Sequence, residues 1–337
     1  MSQLSQSLPV KREHGGDVRA AARRFGHDSM IDLSTGISPI SYPAHPVSAE
    51  SWQELPSQDA HAACVAAART FYGVPDRLEL CVGPGTQALL QLVPQCQPGV
   101  DTVWIPAPTY NEHAPAWVAA GYRVTQEADL PDHARHAVMV VPNNPTGPIA
   151  DEVLQSVASV IADRDGVLVI DGAFTTQSES ARHMQMLLDY TNVVHLRSFG
   201  KFFGMAGLRL GFAIGATDVI ASIDARLGPW AINNAALQIG TVALGDQAWA
   251  TAHQSWLDRE SNRLQTLLDG HGLEVLGGCA LFQTIAHPDA HSLHDFLAEN
   301  RIWSRKYNEF PTLLRLGIPG SEGAFSCLDK LLHRWQR

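Results

Sequence analysis

One lysine places the strongest constraint on this chain. Lys201 lies in the glycine-rich, apolar segment 198–211, directly after the short apolar run Val193–Leu196. Phe202 and Phe203 follow it, so we expect the ammonium group to lose hydration, which lowers the pKa of a lysine. A neutral amine can attack an aldehyde and form a Schiff base. The alternative is a solvated lysine in a surface loop, since most lysines are exposed.

The residues on either side of Lys201 indicate what kind of aldehyde it would meet. Ser198 precedes the lysine and Arg209 follows it. A hydroxyl and a planar guanidinium are both good partners for a phosphate. Aldehyde and phosphate occur together in pyridoxal 5′-phosphate (PLP), so this segment predicts a PLP site.

Composition and charge exclude several other classes of protein. The 337 residues carry a net charge of −10 and no basic run, so no nucleic-acid partner is expected. No apolar stretch approaches the ~20 residues that span a bilayer, and the first residues lack the apolar centre of a signal peptide. The five cysteines form no CxxC pair, so we expect neither a metal site nor a disulfide framework. These features predict a cytoplasmic protein without a membrane partner.

The arrangement of apolar runs predicts an α/β fold. Residues 40–57 are rich in proline and serine and are expected to form a linker. From about residue 58, short β-rich runs alternate with helical segments, which indicates a mainly parallel sheet covered on both faces. Residues 246–271 predict a long helix that opens a smaller α+β region. Ligands of such sheets bind beyond the carboxyl ends of the strands.

Two segments that follow predicted strands offer groups suited to a phosphate and an aromatic ring. The segment Gly83–Gln87 opens a helix, where free N–H groups favour a phosphate, although an ordinary strand-to-helix turn has the same pattern. Tyr110 offers a ring at the end of another predicted strand, with a packing role as the alternative.

Two further polar residues follow strands. Asn144 lies in the segment Pro142–Gly147, and its amide could donate to a phenolate oxygen. Asp171 ends the apolar run Val167–Ile170. A half-buried carboxylate needs a cationic partner, and a protonated pyridine nitrogen would supply one.

Together these motifs resemble a known superfamily. Their order and approximate spacing are similar to those of fold-type I PLP-dependent enzymes of the aminotransferase class I/II superfamily. The resemblance implies a large domain, with a mainly parallel seven-stranded sheet between helices, and a smaller C-terminal α+β domain. The implied boundaries are an N-terminal arm with part of the small domain (1–45), the large domain (46–245) and the small domain (246–337). It also implies a homodimer. The residues that carry it are Gly85, Thr86, Gln87, Tyr110, Asn144, Asp171, Ser198, Lys201 and Arg209.

The resemblance assigns a role to each of these residues. Lys201 would be the Schiff-base lysine, and Asp171 would keep the pyridine nitrogen protonated so that the ring acts as an electron sink. Asn144 would donate to the ring hydroxyl, and Tyr110 would stack on the ring. The phosphate would be held by Ser198, Arg209 and the backbone of the segment Gly85–Gln87.

The chain departs from the superfamily pattern at four positions. Gly172 lies where the superfamily usually has glutamate. Phe174 lies where it has tyrosine or phenylalanine, so no tyrosine hydroxyl reaches the ring oxygen there. Gly200 occupies a position that is often serine. Leu55 lies where relatives often have the tyrosine that reaches the partner subunit's cofactor phosphate.

A narrower resemblance involves both ends of the chain. The segment His14-Gly15-Gly16, the segment 32–39 and the segment 314–319 are similar to those of the L-threonine-O-3-phosphate decarboxylase group of cobalamin biosynthesis. This resemblance implies release of CO2 and (R)-1-amino-2-propanol phosphate from O-phospho-L-threonine. Arg315 would clamp the substrate carboxylate bidentately, while the substrate phosphate would contact His14, the backbone near Gly15, and Arg305. Relatives often have Asn-Pro where this chain has Ser38-Pro39.

Two other functions remain open from the sequence. A histidinol-phosphate aminotransferase shares the same scaffold and cofactor residues, and the choice between losing a proton and losing CO2 depends on fine orientation of the substrate. A regulatory module on a PLP fold is the non-enzymatic alternative, but no added DNA-binding segment is apparent in the composition.

Overall fold

The computed structural model describes residues 14–97, 99 and 101–335. Residues 1–13, the start of the expected N-terminal arm, lie outside the described residues. In the described ranges the strands are β1 (Ile31–Asp32), β2 (Glu79–Gly83), β3 (Thr102–Trp104), β4 (Arg123–Thr125), β5 (His136–Val140), β6 (Leu168–Asp171), β7 (Val193–Ser198), β8 (Gly211–Gly215), β9 (Glu274–Cys279), β10 (Phe282–Ala286), β11 (Ile302–Trp303), β12 (Arg305–Lys306) and β13 (Leu313–Gly317).

The same ranges contain 13 α-helices. They are α1 (Val18–Arg24), α2 (Glu50–Gln53), α3 (Gln58–Tyr72), α4 (Thr86–Leu92), α5 (His113–Ala119), α6 (Asp151–Asp163), α7 (Gln177–Met186), α8 (Phe199–Phe202), α9 (Thr217–Leu227), α10 (Asn234–Gly245), α11 (Gln247–Gly270), α12 (Ala290–Glu299) and α13 (Glu322–Trp335). The expected linker 40–57 thus contains the one-turn helix α2. No helix in the described part of the chain combines the length and apolar character needed to cross a bilayer.

Seven strands form the large sheet, in the order β2-β8-β7-β6-β5-β3-β4. The five strands from β7 to β4 are parallel, while β8 runs antiparallel to both β2 and β7. Because β5, β6 and β7 are buried along almost their whole length, both faces of the sheet need a cover. The predicted mainly parallel seven-stranded sheet is confirmed.

Helices pack on both faces of this sheet. On one face, Val138 and Val194 contact a cluster that includes Trp117 of α5, with further apolar residues of α4 and α9. On the other face, Met139 packs with Ile161 of α6, and α3 and α10 cover the part formed by β2 and β8. The loops at the carboxyl ends of the parallel strands remain free to form a site.

The C-terminal region forms a second, four-stranded antiparallel sheet in the order β12-β13-β10-β9. One face packs on α11, α12 and α13 through residues such as Ile285, Leu314 and Phe325. Residues directly opposite each other in neighbouring strands share a face, and Arg315 is opposite both Arg305 and Thr284. Near the N-terminus, β1 pairs in parallel with β11.

Candidate active site

The carboxyl ends of three adjacent strands bring together four of the residues predicted for the cofactor. Asn144 follows β5, Asp171 ends β6, and Ser198 ends β7 immediately before the helix that carries Lys201. Because β6 lies between β5 and β7, parallel order places these side chains at one edge of the sheet.

The carboxylate of Asp171 is buried and held by two donors. Nε2 of His113 donates to Oδ2 at 2.8 Å, and the N–H of Ala173 donates to Oδ1 at 3.0 Å. Burial by itself would raise the pKa of Asp171, but the hydrogen bond and charge of His113, with smaller effects of Ala173 and Lys201, hold that pKa below its usual value. The carboxylate is therefore ionised and suited to pair with a cation.

The amine of Lys201 lies against an aromatic ring. Its Nζ is 4.4 Å from the centre of the Phe174 ring. Desolvation, followed by the charge of Arg315, lowers the pKa of Lys201 to about 8. The expected loss of hydration is therefore present. Phe174 supplies the ring against the amine, while Phe202 and Phe203 pack in the core cluster of the large sheet. About a tenth of the amine is then neutral at pH 7 and able to attack an aldehyde.

Gly85 and Arg209 form a cradle at the start of α4. A Cβ atom at Gly85 would lie 2.5 Å from Nη2 of Arg209. Gly85 has a φ of 84° and is the N-cap of α4, and because it has no side chain it leaves room there for the Arg209 guanidinium. The guanidinium therefore lies beside the first N–H groups of the helix, at Thr86 and Gln87. This donor set suits a phosphate.

Ser198 reaches the same edge through strand pairing. It is opposite Gly211 in β8, and Gly211 is opposite Gly83 in β2. A Cβ atom at Gly211 would lie 2.6 Å from the nitrogen of Thr86, so the glycine permits close approach of β8 to the start of α4. The sheet thus brings the hydroxyl of Ser198 toward the Gly85–Arg209 cradle.

The ring of Tyr110 is anchored by a chain of hydrogen bonds. Its hydroxyl donates to Oε1 of Gln87 at 2.9 Å, and Nε2 of Gln87 donates to Oε2 of Glu112 at 3.2 Å. The other carboxylate oxygen of Glu112 lies 2.9 Å from Nε2 of His14. The predicted substrate contact His14 and the predicted ring-stacking Tyr110 therefore belong to one network.

The amide of Asn144 joins the two sheets. Its Oδ1 accepts from Nη1 of Arg315 at 2.6 Å and from the hydroxyl of Tyr307 at 3.2 Å. Because both donors point at the oxygen, the amide nitrogen must face away from them. The Nη2 of Arg315 donates to the carbonyl of Ser34 at 2.7 Å, and its buried Nε has no hydrogen-bond partner. Both terminal nitrogens of the Arg315 guanidinium are therefore already held by a hydrogen bond. Each has a second hydrogen left, and these two hydrogens are the ones available for the expected bidentate contact with a carboxylate.

The remaining predicted substrate contacts lie around Arg315. Arg305 shares its sheet face and lies over the ring of Tyr307, 5.2 Å from the centre. Gly15 packs so closely on the carbonyl of Ser34 that a Cβ atom would overlap it. The segment that carries His14 therefore lies next to the carbonyl that holds Arg315.

The structure shows the surroundings of the four residues that depart from the superfamily pattern. A Cβ atom at Gly172 would lie 2.8 Å from Nη1 of Arg197, and one at Gly200 would lie 2.7 Å from Cα of Ala206. Phe174 supplies the ring beside the lysine amine. Leu55 is 65% exposed.

Sequence reasoning missed three polar residues of this site. His113, Glu112 and Tyr307 each contact a predicted residue, but none lies in a motif that the sequence analysis singled out. For His113 and Glu112 a signal was available, since both follow Tyr110 closely in the loop after a predicted strand. For Tyr307 the available signal was its position two residues after Arg305.

Comparison with known proteins identifies the class to which this fold and site belong. Residues 43–323 match the family "Aminotransferase class I and II". The chain belongs to this family.

Individual relatives narrow the grouping. The chain is 37% identical over 331 residues to the threonine-phosphate decarboxylase of Pseudomonas aeruginosa, covering 95% of this chain and 97% of that protein. It is also 37% identical over 325 residues to a threonine-phosphate decarboxylase of a Sinorhizobium species, covering 94% and 97% of the two chains. These two relatives group the chain with the threonine-phosphate decarboxylases.

Solved structures share the fold. The histidinol-phosphate aminotransferase of Sinorhizobium meliloti, in complex with PLP, superposes with a TM-score of 0.83 at 16% identity and covers 99% of both chains. The L-threonine-O-3-phosphate decarboxylase of Porphyromonas gingivalis superposes with a TM-score of 0.73 at 17% identity, covering 90% of this chain and 98% of that one.

PLP is the cofactor of this family, and the donor set of the site fits it. The amine of Lys201, with its lowered pKa, is suited to react with the aldehyde of PLP. The ionised, buried carboxylate of Asp171 is suited to pair with a ring nitrogen that must stay protonated. The cradle beside Gly85, which a single Cβ atom would obstruct, matches the phosphate.

Proposed function

We propose that this chain is a PLP-dependent decarboxylase that converts O-phospho-L-threonine into CO2 and (R)-1-amino-2-propanol phosphate, a step of cobalamin biosynthesis. The observation that carries the proposal is the position of Arg305 and Arg315 opposite each other on one sheet face, with Arg315 bonded to the loop that follows β5. Two adjacent guanidiniums suit a substrate with two anionic groups. The names of the two relatives at 37% identity support the same activity.

The cofactor would be held by the residues predicted for it. Lys201 would form the covalent link to the aldehyde, and Asp171, fixed by His113, would keep the ring nitrogen protonated. The amide nitrogen of Asn144 would donate to the ring hydroxyl, and Tyr110 would stack on the ring. Ser198, Arg209 and the N–H groups of the segment Gly85–Gln87 would hold the phosphate. When bound, PLP supplies an electron sink for the pair released as a bond at the substrate Cα breaks.

The substrate would be oriented by the small sheet and the N-terminal segment. Arg315 would hold the carboxylate with its remaining hydrogens, and the hydrogen bonds to Asn144 and Ser34 would fix the plane of its guanidinium. Arg305, His14 and the backbone near Gly15 would hold the phosphate. Holding both ends of the molecule determines which bond at Cα stands perpendicular to the cofactor ring, and decarboxylation requires that bond to be the one to the carboxylate.

Lys201 would also handle the proton that completes the reaction. After CO2 leaves, Cα needs a proton, and an ammonium with a pKa of about 8 can donate one near neutral pH. The position of the amine near the carboxyl edge of the large sheet supports this second role.

Release of CO2 is the test of the proposed function. Purified protein is mixed with PLP and O-phospho-L-threonine, and CO2 is measured beside the absorbance of the bound cofactor, with Lys201→Ala as the control. Lysine-dependent CO2 release is expected. A lysine-dependent chromophore without CO2, but with amino transfer to 2-oxoglutarate, would replace the proposal with an aminotransferase of the histidinol-phosphate type.

The proposal also includes the domain boundaries, the oligomeric state and the location of the protein. The division into residues 1–45, 46–245 and 246–337 is supported by the two separate sheets and by the pairing of β1 with β11. The superfamily resemblance implies a homodimer, and the composition predicts that the protein is cytoplasmic. Sedimentation of the purified protein tests the dimer.

A further inference from the structure

His253, on α11, contacts the end of the short helix that carries Lys201. Its Nε2 lies 3.1 Å from the carbonyl oxygen of Phe202 and 3.0 Å from Oγ of Ser38. A carbonyl oxygen only accepts, so Nε2 must carry the proton and donate. The Oγ of Ser38 gives its own proton to the carbonyl of Ile40 at 3.0 Å and can therefore accept from the ring.

Ser38 also contacts the lysine directly through the backbone. Its N–H donates to the carbonyl oxygen of Lys201 at 2.9 Å. The helix that carries the lysine, α8, is only four residues long. A helix of one turn leaves its last carbonyls without intrahelical partners. Donors from α11 and from the N-terminal segment therefore help to fix the turn that carries the amine.

Aromatic rings hold His253 in place. Trp249 stacks on it with ring centres 4.3 Å apart and an interplanar angle of 20°. Trp256 lies nearly parallel on α11, 5.9 Å away, and Phe202 meets the ring edge at 5.1 Å. Burial lowers the pKa of His253, so the ring is neutral near neutral pH. With one proton, at Nε2, the ring is a fixed donor toward the lysine-bearing helix.

We propose that His253, acting with Ser38, is a positioning residue for Lys201. The pair fixes the turn that carries the amine, and so sets the distance and angle of Nζ relative to the cofactor and to the substrate Cα. This inference rests on the proposed role of Lys201 as the cofactor-linked lysine. It adds a specific function for α11 and for the loop that contains Ser38.

The test compares two aromatic substitutions on α11. His253→Phe keeps a ring in the stack and removes the donor, whereas Trp256→Phe alters the same stack and keeps the donor. In cofactor-free protein, the pH midpoint for modification of Lys201 by an amine reagent is followed by mass spectrometry. In the holoenzyme, kcat and KM are measured with O-phospho-L-threonine, and thermal unfolding shows whether each variant is folded.

We expect His253→Phe to shift the midpoint of Lys201 upward and to lower kcat by about tenfold or more, because small displacements of a reacting group cost up to about a hundredfold. The KM should change far less, since the arginines are untouched. His253→Gln, whose amide can donate, should recover part of kcat. Trp256→Phe should lower only the unfolding temperature.

The outcomes distinguish failure of this inference from failure of the proposed function. If His253→Phe behaves like Trp256→Phe, with kcat and the midpoint unchanged, His253 is only a packing residue and the inference is wrong. If His253→Phe does not fold, Ser38→Ala removes the partner hydroxyl and must lower kcat for the inference to stand. If Lys201→Ala keeps full activity, the proposed function itself is wrong.

Discussion

Nη1 of Arg315 donates to Oδ1 of Asn144 at 2.6 Å, which connects the C-terminal sheet to the loop after β5. The contact links a proposed substrate residue to a proposed cofactor residue. Movement of one sheet relative to the other would therefore change both contacts at once. This coupling makes Arg315 the first residue to substitute.

Arg315→Lys should reduce kcat/KM by at least about thirtyfold. A lysine cannot bond to Asn144, Ser34 and a carboxylate in one plane, and loss of a buried, hydrogen-bonded charge contact costs about 2–5 kcal/mol. Steady-state kinetics measures the effect. Arg259→Lys, on the exposed side of α11, is the matched control and should leave kcat/KM unchanged. Equal kinetics for the two variants would remove Arg315 from the site.

The pair His113 and Asp171 should act as a unit in cofactor binding. His113→Phe removes a donor from a buried carboxylate, which costs about 1–3 kcal/mol and should raise the Kd for PLP. Asp171→Asn should also raise it. Because the two side chains are in contact, the double variant should lose less than the sum of the single losses. Additive losses in Kd would show that His113 acts elsewhere.

Capture of PLP should follow the titration of Lys201. Its pKa is lowered from 10.5 to about 8, mainly by desolvation, and only the neutral amine attacks an aldehyde. The rate should therefore rise about tenfold per pH unit below pH 8 and level off above it. Stopped-flow absorbance of cofactor-free protein mixed with PLP gives the profile. A rate that keeps rising to pH 10 would contradict the lowered pKa.

Gly85→Ala should weaken PLP binding, whereas Gly207→Ala should not. A Cβ atom at Gly85 would meet the Arg209 guanidinium at 2.5 Å, at a φ of 84° that disfavours alanine. A Cβ atom at Gly207 would meet nothing within 4 Å. Fluorescence titration with PLP compares the two variants. If the phosphate is held elsewhere, Gly85→Ala should bind PLP as well as Gly207→Ala does.

Stability should fall as the pH drops below about 6.5, most strongly through the three buried histidines whose pKa values are lowered the most. Desolvation lowers the pKa of His136 and His294 to about 4 and that of His195 to about 3. Between the folded value and the unfolded value of 6.5, the unfolded chain binds more protons, so each histidine contributes stability that is lost as the pH falls. The expected slope is up to about 1.4 kcal/mol per pH unit for each group.

Urea unfolding at pH 7, 6 and 5 measures this slope. His195→Leu replaces one of these titrating groups with an apolar side chain in β7. The free energy of unfolding should then fall less steeply with decreasing pH. An unchanged slope would mean that His195 does not titrate in this range.

The general architecture was predictable, and candidate cofactor residues could be named, because their signals are local. Apolar runs alternating with helical segments predicted the parallel sheet, and each cofactor candidate lies directly after such a run. Less of the C-terminal region was predictable. β12 is only the pair Arg305–Lys306, which has no apolar pattern, and its pairing with β13 depends on a strand further along the chain.

The sequence alone determined the order of the motifs around Lys201, the class of fold and the type of cofactor, because these depend on neighbouring residues and on strand ends. Only the tertiary structure decided which distant residues hydrogen-bond to the candidate site residues and hold them in place. Asp171 lies 58 positions from His113, Phe202 lies 51 from His253, and Arg315 lies 171 from Asn144 and 281 from Ser34. A hydrogen bond between distant residues leaves no short-range pattern, since only the packing of complete sheets and helices brings donor and acceptor within reach.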